Sequence, residues 1–175
     1  MAASDPRAQM RRFLILFPVC MLAGFGLLQV PPVAAAVSRF TGSLVTISGA
    51  VIHIFGGRAT VIGAILQSPL GFGVKVENGC NAVNVTILLW AAILTYPAPW
   101  PQKLKGLAAG TAVLHTVNLL RIISLFYLGQ YSQAWFDFAH YYLWESLIVL
   151  DTLVIFWLWA VLVRKSRPLP NAATG

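Results

Sequence analysis

The stretch from Leu104 to Leu128, LKGLAAGTAVLHTVNLLRIISLFYL, decides the fold. It is long enough to cross a bilayer as a helix, which takes about 20 mostly apolar residues. Apart from Lys105 near its start, its only charged residue is Arg121. An arginine inside a hydrophobic run is costly and usually faces a polar cavity. The stretch therefore predicts a transmembrane helix that carries one residue of a polar site.

Composition extends the membrane assignment to the whole chain. Of its 175 residues, 58% are hydrophobic and 10% charged, with a mean hydropathy of +0.77, outside the range of ordinary soluble domains. We predict an all-α integral membrane protein, a single multipass domain with an exoplasmic amphipathic helix and a small β-hairpin. Any chemistry must then be built from the spans and the segments that join them. The four predicted transmembrane helices cover about 13–30, 82–98, 104–128 and 142–163.

The first apolar run, 13–30, has a competing interpretation as a cleaved signal peptide, because basic residues precede it. The run is long for the apolar part of a signal peptide. It ends at Pro31-Pro32, and no convincing small-x-small cleavage site lies beside it. The pattern favours a retained span.

Residues 31–79 form the predicted exoplasmic segment between the first two spans. Val33–Phe55 mixes apolar residues with many polar ones, as in an amphipathic helix that lies at the membrane interface. Ala59–Leu66 and Gly73–Val76 resemble two short strands, with Gln67–Gly71 as the turn between them. The segment therefore predicts a helix followed by a hairpin just before the second span.

The basic residues indicate the orientation of the chain. Twelve Lys and Arg against five Asp and Glu could suggest nucleic-acid binding, but they cluster where apolar runs end instead of forming one polar face. With four spans, most of them lie on one side, which places both termini in the cytoplasm. A fifth span at 33–55 would divide the clusters between the two faces, so four spans are favoured. The cytoplasmic set is Arg7, Arg11, Arg12, Lys103, Lys105, Arg164, Lys165 and Arg167.

This topology brings three polar residues to the outer face. Cys80 opens the second span, His140 opens the fourth, and Arg121 lies roughly 10 Å below the outer end of the third. A thiol, an imidazole and a guanidinium at one depth are the parts of a cysteine-nucleophile site: attacking group, proton acceptor and anion stabiliser. Separately, each could be structural, as a helix-cap thiol, an interfacial histidine and an ion pair of Arg121 with Glu145 or Asp137.

Further polar residues could support this site. Asn81 follows Cys80, Asn118 precedes Arg121 by one turn, and Glu145 could neutralise Arg121 or orient His140. The asparagines could equally hold helices together. We expect no cofactor and no metal, because the cysteines and histidines lack zinc spacing. The other cysteine, Cys20, lies inside the first apolar run, where a free thiol behaves as a small hydrophobe.

The ordered set of residues resembles the exosortase/archaeosortase family of integral-membrane transpeptidases. Cys80 after a short strand, Asn118-x-x-Arg121-Ile122 and a downstream His140 carry the resemblance, which covers roughly residues 33–159. The compact length, with ENGCN at 77–81 and RIISL at 121–125, most resembles exosortase H. Many members follow the cysteine with Ser-Gly or a similar small pair, whereas Asn81-Ala82 follows it here.

The resemblance implies a membrane-embedded cysteine protease or transpeptidase with Cys80, Arg121 and His140 at the catalytic positions. Its expected partners are exported proteins that end in a short motif, a hydrophobic span and a basic tail, together with membrane lipid and an unknown acceptor molecule. It would cleave near the motif at the periplasmic face of the inner membrane. Two non-enzymatic alternatives remain: a structural subunit or a transport subunit of a membrane complex.

Overall fold

The computed structural model describes residues 6–166, which form six α-helices and three short strands. A π-helical segment joins the last two helices. Arg167, part of the predicted C-terminal basic cluster, lies outside the described residues. The bounds are α1 Pro6–Leu27, α2 Pro31–Ile54, β1 Thr60–Ile62, β2 Ile65–Gln67, β3 Gly73–Lys75, α3 Val83–Thr95, α4 Trp100–Tyr131, α5 Gln133–Phe138, the π-helical segment Ala139–Trp144 and α6 Glu145–Lys165.

The predicted fold class, a helical membrane protein with a small sheet, is confirmed. Four described helical stretches are long and apolar enough to cross a membrane, namely α1, α2, α4 and the continuous run Gln133–Lys165. The stretch predicted as the second span, 82–98, is shorter than expected. Helix α3 has 13 residues, about 20 Å at 1.5 Å per residue. Its C-terminal boundary precedes Pro97 and Pro99, which oppose helix continuation.

Helix α2 has the one-sided burial expected of an amphipathic helix. It packs on α4 and on the first two strands. The ring of Phe40 meets that of His115, near the middle of α4, edge-on at 5.0 Å. Farther along, Ile52 shares a core with Ile122 and Phe126, so α2 lies along the half of α4 that ends at Tyr131. The buried residues recur every three or four positions, as in a single helical stripe: Thr41, Leu44, Val45, Ser48, Gly49 and Ile52.

The predicted two-stranded hairpin is wrong in its strand count, since the structure has a three-stranded antiparallel sheet in the order β1-β2-β3. The expected strand at 59–66 folds back on itself at Gly63, where φ is 60°. Glycine adopts this left-handed conformation without steric cost, so one apolar run becomes two paired strands. The turn predicted at 67–71 is present between β2 and β3, and the Ser68 N–H donates to the Phe72 carbonyl at 2.8 Å to close it.

Two apolar cores hold these elements together. The first joins α2, the sheet and the C-terminal half of α4, and includes Leu44, Leu66, Val74, Ile122 and Phe126. The second joins α3, α4 and α6. Cys80 packs against the first core, and Ala82, two residues later, belongs to the second. The loop that carries the cysteine is therefore fixed between two packed bodies.

Candidate active site

Cys80 lies in a tight turn between β3 and α3. Its backbone N–H donates to the carbonyl of Glu77 at 3.0 Å and closes the turn. Gly79 within the turn has a φ of 105°, a conformation that residues with side chains disfavour. The turn directs the chain from the sheet into α3 and leaves the thiol partly exposed beside the start of that helix.

Asn81 fastens this turn to α2. Its buried side-chain amide donates to Oγ1 of Thr41 at 2.9 Å and to Oδ1 of Asn78 at 3.3 Å. The side-chain oxygen accepts the backbone N–H of Val83 at 3.1 Å. These bonds hold the cysteine loop against α2.

The structure brings the three predicted residues together at one end of the helices. Sγ of Cys80 lies 3.2 Å from Nε2 of His140 and 3.7 Å from Nη2 of Arg121. A proton on the thiol can therefore pass directly to the imidazole. The sulfur, once ionised, would have a guanidinium beside it, and a nearby cation favours a thiolate.

Arg121 is buried behind the thiol, with 1% of its surface exposed. Its Nη2 lies 3.6 Å from Oε2 of Glu145, whose side chain is 66% exposed. Nε and Nη1 have no hydrogen-bond partner, and neither atom of the fully buried Asn118 amide has one. Buried donors without a partner are costly. Nη2 lies beside the thiol, and Nε and Nη1 keep unused donor capacity on the same guanidinium.

The structure selects Glu145 from the two carboxylates predicted as partners of Arg121. Asp137 instead accepts a hydrogen bond from Nε2 of Gln133 at 2.9 Å. The alternative role for Glu145, orienting His140, is not observed. Nδ1 of that histidine is buried without a hydrogen-bond partner, and Glu145 is turned toward the guanidinium.

His140 lies in the π-helical segment between α5 and α6. Segments of this kind are rare and often occur at functional sites. The histidine was expected to open the fourth span, but the helical run begins earlier, at Gln133, and continues through it to Lys165. The imidazole is therefore held on a helix and not at its first residue.

The remaining histidines and Cys20 lie away from this site. His115 contacts the Thr86 hydroxyl at 3.4 Å, and Nε2 of His53 lies 2.9 Å from the Ala59 carbonyl oxygen. Both cysteines are free, and Cys20 lines a cleft with residues 94–98 at the opposite end of the helices. Among residues 6–166, no three Cys, His, Asp or Glu side chains are grouped closely enough to hold a metal ion.

The burial of Cys80 and the charges around it predict how its rate of alkylation depends on pH. Burial raises the pKa of the thiol, Arg121 lowers it and Glu145 raises it. We expect iodoacetamide to alkylate Cys80 at higher pH than an ordinary cysteine, whose pKa is about 8.5. Arg121→Gln should move the midpoint of the rate–pH curve upward, because a cation that favours the thiolate is lost. Glu145→Gln should move it downward, because an anion that opposes the thiolate is lost.

The measurement is the alkylation rate against pH in purified protein that carries Cys20→Ala, so that one thiol is followed. Shifts of the same sign in both variants would contradict this electrostatic account, since the two side chains carry opposite charges.

Comparison with known families gives a match over most of the chain. A family model described as transmembrane exosortase, of the EpsH type, matches residues 7–163. The match spans every helix that contributes to the site and includes Cys80, Arg121 and His140. No curated protein and no solved structure matches the chain. The resemblance drawn from the sequence is confirmed, and the chain belongs to the transmembrane exosortase family.

Proposed function

We propose that the protein is a cysteine peptidase or transpeptidase that cleaves the C-terminal sorting sequences of exported proteins. One observation carries the proposal: the Cys80 thiol lies 3.2 Å from an imidazole nitrogen and 3.7 Å from a buried guanidinium. A nucleophile within hydrogen-bonding distance of a base, next to a cation, is the arrangement that acyl transfer requires.

In the proposed reaction, the Cys80 thiol gives its proton to Nε2 of His140 as sulfur attacks the carbonyl carbon of the scissile peptide bond. The carbonyl oxygen takes up negative charge, which donors on Arg121 stabilise. The C–N bond then breaks, and the imidazolium returns its proton to the leaving amine. The products of this step are a free C-terminal fragment and a thioester between Cys80 and the remaining substrate.

The thioester has two possible fates. Attack by water releases the shortened protein, whereas attack by a nucleophilic group of an acceptor transfers it; both regenerate the thiol. The unpartnered donors of Arg121 and the unpartnered Asn118 amide could bind substrate carbonyl oxygens during these steps. Their burial strengthens such bonds, since the local dielectric is low.

We further propose that this site faces the periplasm and that both termini are cytoplasmic in the inner membrane. The described basic residues of α1, the start of α4 and the end of α6 lie at the helix ends opposite Cys80, as the positive-inside rule expects. Helix α2 and the sheet would then lie at the periplasmic interface. The packing of α2 along only the outer half of α4 supports this placement.

The expected substrate would be held by its own membrane segment. A hydrophobic span that packs beside these helices delivers the adjoining motif to Cys80 at high effective concentration. Its basic tail would stay on the cytoplasmic side, like the basic residues of the enzyme. Cleavage would therefore occur at a fixed depth, near the outer surface.

A non-enzymatic role rests on the Arg121–Glu145 ion pair, which could simply hold two helices of a structural or transport subunit together. An inert Cys80 would favour that role, since the enzyme needs a thiol that reacts.

The decisive experiment is to trap the thioester. We expect protein co-expressed with a substrate that carries motif, span and basic tail, and quenched in acid, to hold a substrate fragment on Cys80. Neutral hydroxylamine should release the fragment, and peptide mass spectrometry should locate it. A Cys20→Ala variant should give the same adduct. Substrate cleavage without any adduct on Cys80 under single-turnover conditions would refute nucleophilic catalysis by this residue.

A further inference from the structure

The base of the proposed cysteine site lacks the hydrogen-bonded partner that usually orients such a base. In most nucleophile–base pairs a third group fixes the orientation of the imidazole. Here Nδ1 of His140 is buried with no hydrogen-bond partner. The nearby carboxylates serve other groups: Glu145 lies against Arg121, and Asp137 accepts from Gln133. The position of the ring must therefore be set in another way.

Aromatic packing surrounds the imidazole instead. The ring of Phe136, one helical turn earlier, stacks on that of His140 with 5.5 Å between ring centres and 15° between planes. Tyr141 meets the imidazole edge-on at 4.7 Å. A near-parallel stack prevents the imidazole from tilting out of its plane, and the edge contact blocks movement to one side. Together they can replace the directional restraint of a hydrogen bond.

Phe136 is itself held from behind by the sheet. Phe72, at the end of the turn between β2 and β3, meets Phe136 edge-on at 5.5 Å. The Phe72 ring lies directly against Gly129 of α4, where a Cβ would collide with it. The same turn is tied to α4 by the Ser68 hydroxyl, which donates to Oε1 of Gln130 at 2.6 Å. A fixed series of contacts therefore runs from the sheet to the imidazole.

We infer that Phe136 is the positioning residue of His140, taking the place of the hydrogen-bonded third member in the proposed catalytic site. Phe72 supports it by fixing the back of its ring. The inference rests on the proposed function, because it assigns how that site holds its base. Phe136 acts through the imidazole on which its ring stacks. Its removal should free the imidazole to leave Sγ of Cys80 while the thiol and Arg121 stay in place.

The test compares Phe136→Leu with Phe136→Tyr, which keeps a flat ring. All proteins carry Cys20→Ala, and the rate of Cys80 alkylation by iodoacetamide is measured across pH. We expect Phe136→Leu to move the rate–pH curve onto that of His140→Ala, and Phe136→Tyr to keep the original curve. The rate of substrate processing by Phe136→Leu should also decrease. Complete loss of a general base lowers a rate by about 10²- to 10⁴-fold, and we expect the decrease to approach that range.

Two controls separate positioning from general loosening. Phe126→Leu removes a ring from the same apolar core, where Phe126 is 1% exposed, and should lower thermal stability without moving the curve. Adding Phe136→Leu to His140→Ala should change the curve no further. If Phe136→Leu does not fold, Phe72→Leu is used, with a smaller shift of the same direction expected.

An unchanged curve in a folded Phe136→Leu protein would overturn the inference and leave the proposed function standing. So would an equal shift in Phe126→Leu, since the effect would then be nonspecific. If His140→Ala itself leaves both the curve and processing unchanged, the thiol–imidazole pair has no role, and the proposed function fails together with the inference.

Discussion

A Cys80→Ala variant is expected to lose processing of a co-expressed sorting-sequence substrate entirely. The Cys80 sulfur is the nucleophile hydrogen-bonded to the imidazole, so without it the proposed acyl intermediate cannot form. Removing the nucleophile of a comparable hydrolase costs on the order of 10⁶-fold in rate, which brings processing to background. Immunoblotting for the shortened substrate provides the measurement.

Cys80→Ser makes the same test with a closer replacement. A serine hydroxyl ionises far less readily than a thiol, and the imidazole that would take its proton has no carboxylate hydrogen-bonded to Nδ1. We therefore expect Cys80→Ser to be as inactive as Cys80→Ala. Both proteins should insert and be produced at normal levels, because the residue is only partly buried and its side-chain hydrogen bonds are those to His140 and Arg121 within the site. Processing at the original rate by Cys80→Ala would exclude the proposed nucleophile.

The matched control is Cys20→Ala. Cys20 lies in α1 beside the connection between α3 and α4, at the opposite end of the helices. Its replacement should leave processing unchanged, which shows that loss of activity reflects the position of the sulfur and not the number of thiols. A comparable loss of processing in Cys20→Ala would point to a structural sensitivity unrelated to the site.

The meeting of Cys80, Arg121 and His140 could be predicted from sequence for a physical reason. Arg121 and His140 are residues that apolar surroundings penalise, and Cys80 follows the polar turn at 77–79. All three fall near the same end of predicted helices. Helix boundaries fix depth at about 1.5 Å per residue, so errors of a few residues still left the three at one level. The predicted boundaries of α3 and of the helix that carries His140 were wrong by several residues. The prediction that the three side chains lie at one depth did not depend on them.

The structure of residues 31–79, between α1 and the cysteine turn, was harder to predict. A short apolar run such as 59–66 has the same composition whether it forms one strand or two, and only the φ of Gly63 divides it. Helix α2 has both an amphipathic face and enough apolar length to cross a membrane. Composition cannot separate these two properties, because the same residues supply both.

The aromatic support of His140 was missed, although spacing gave a clue. Phe136 precedes His140 by four residues, the separation at which helical side chains meet. A phenylalanine at such a position is common in any membrane helix, so spacing alone does not mark it as functional. The contact with Phe72 depends on the sheet turn that docks at Gly129, and no local pattern encodes that docking.

Asn81-Ala82, the departure from the small pair seen in many exosortases, has a local explanation. Ala82 has a φ of 58°, a left-handed conformation for which glycine is best suited. The backbone here keeps the shape that a glycine would favour, and the Asn81 bonds to Thr41 and Val83 hold it. Ala82 therefore takes this conformation at the start of α3 without being a glycine.

The second large effect is expected at Arg121. Arg121→Ala removes a cation 3.7 Å from Sγ together with the donors proposed for the developing oxyanion. Loss of one such donor typically costs about 10²–10³-fold in rate, and Arg121 offers more than one. Arg121→Lys keeps the charge but presents a single ammonium instead of a planar set of donors, so we expect only partial recovery. Processing rates under single-turnover conditions measure both.

Stability must be separated from chemistry in this experiment, because the guanidinium is buried. Its acidic partner, Glu145, is largely exposed, so removing the arginine does not leave a buried carboxylate without a partner, which is what makes broken buried pairs costly. Arg121→Met, which keeps much of the side-chain volume, should unfold thermally near the original temperature yet process no faster than Arg121→Ala. Glu145→Gln should retain most processing, since the carboxylate touches the guanidinium and not the sulfur. Full activity in Arg121→Met would assign the buried cation to helix packing, and oxyanion stabilisation would then need another source.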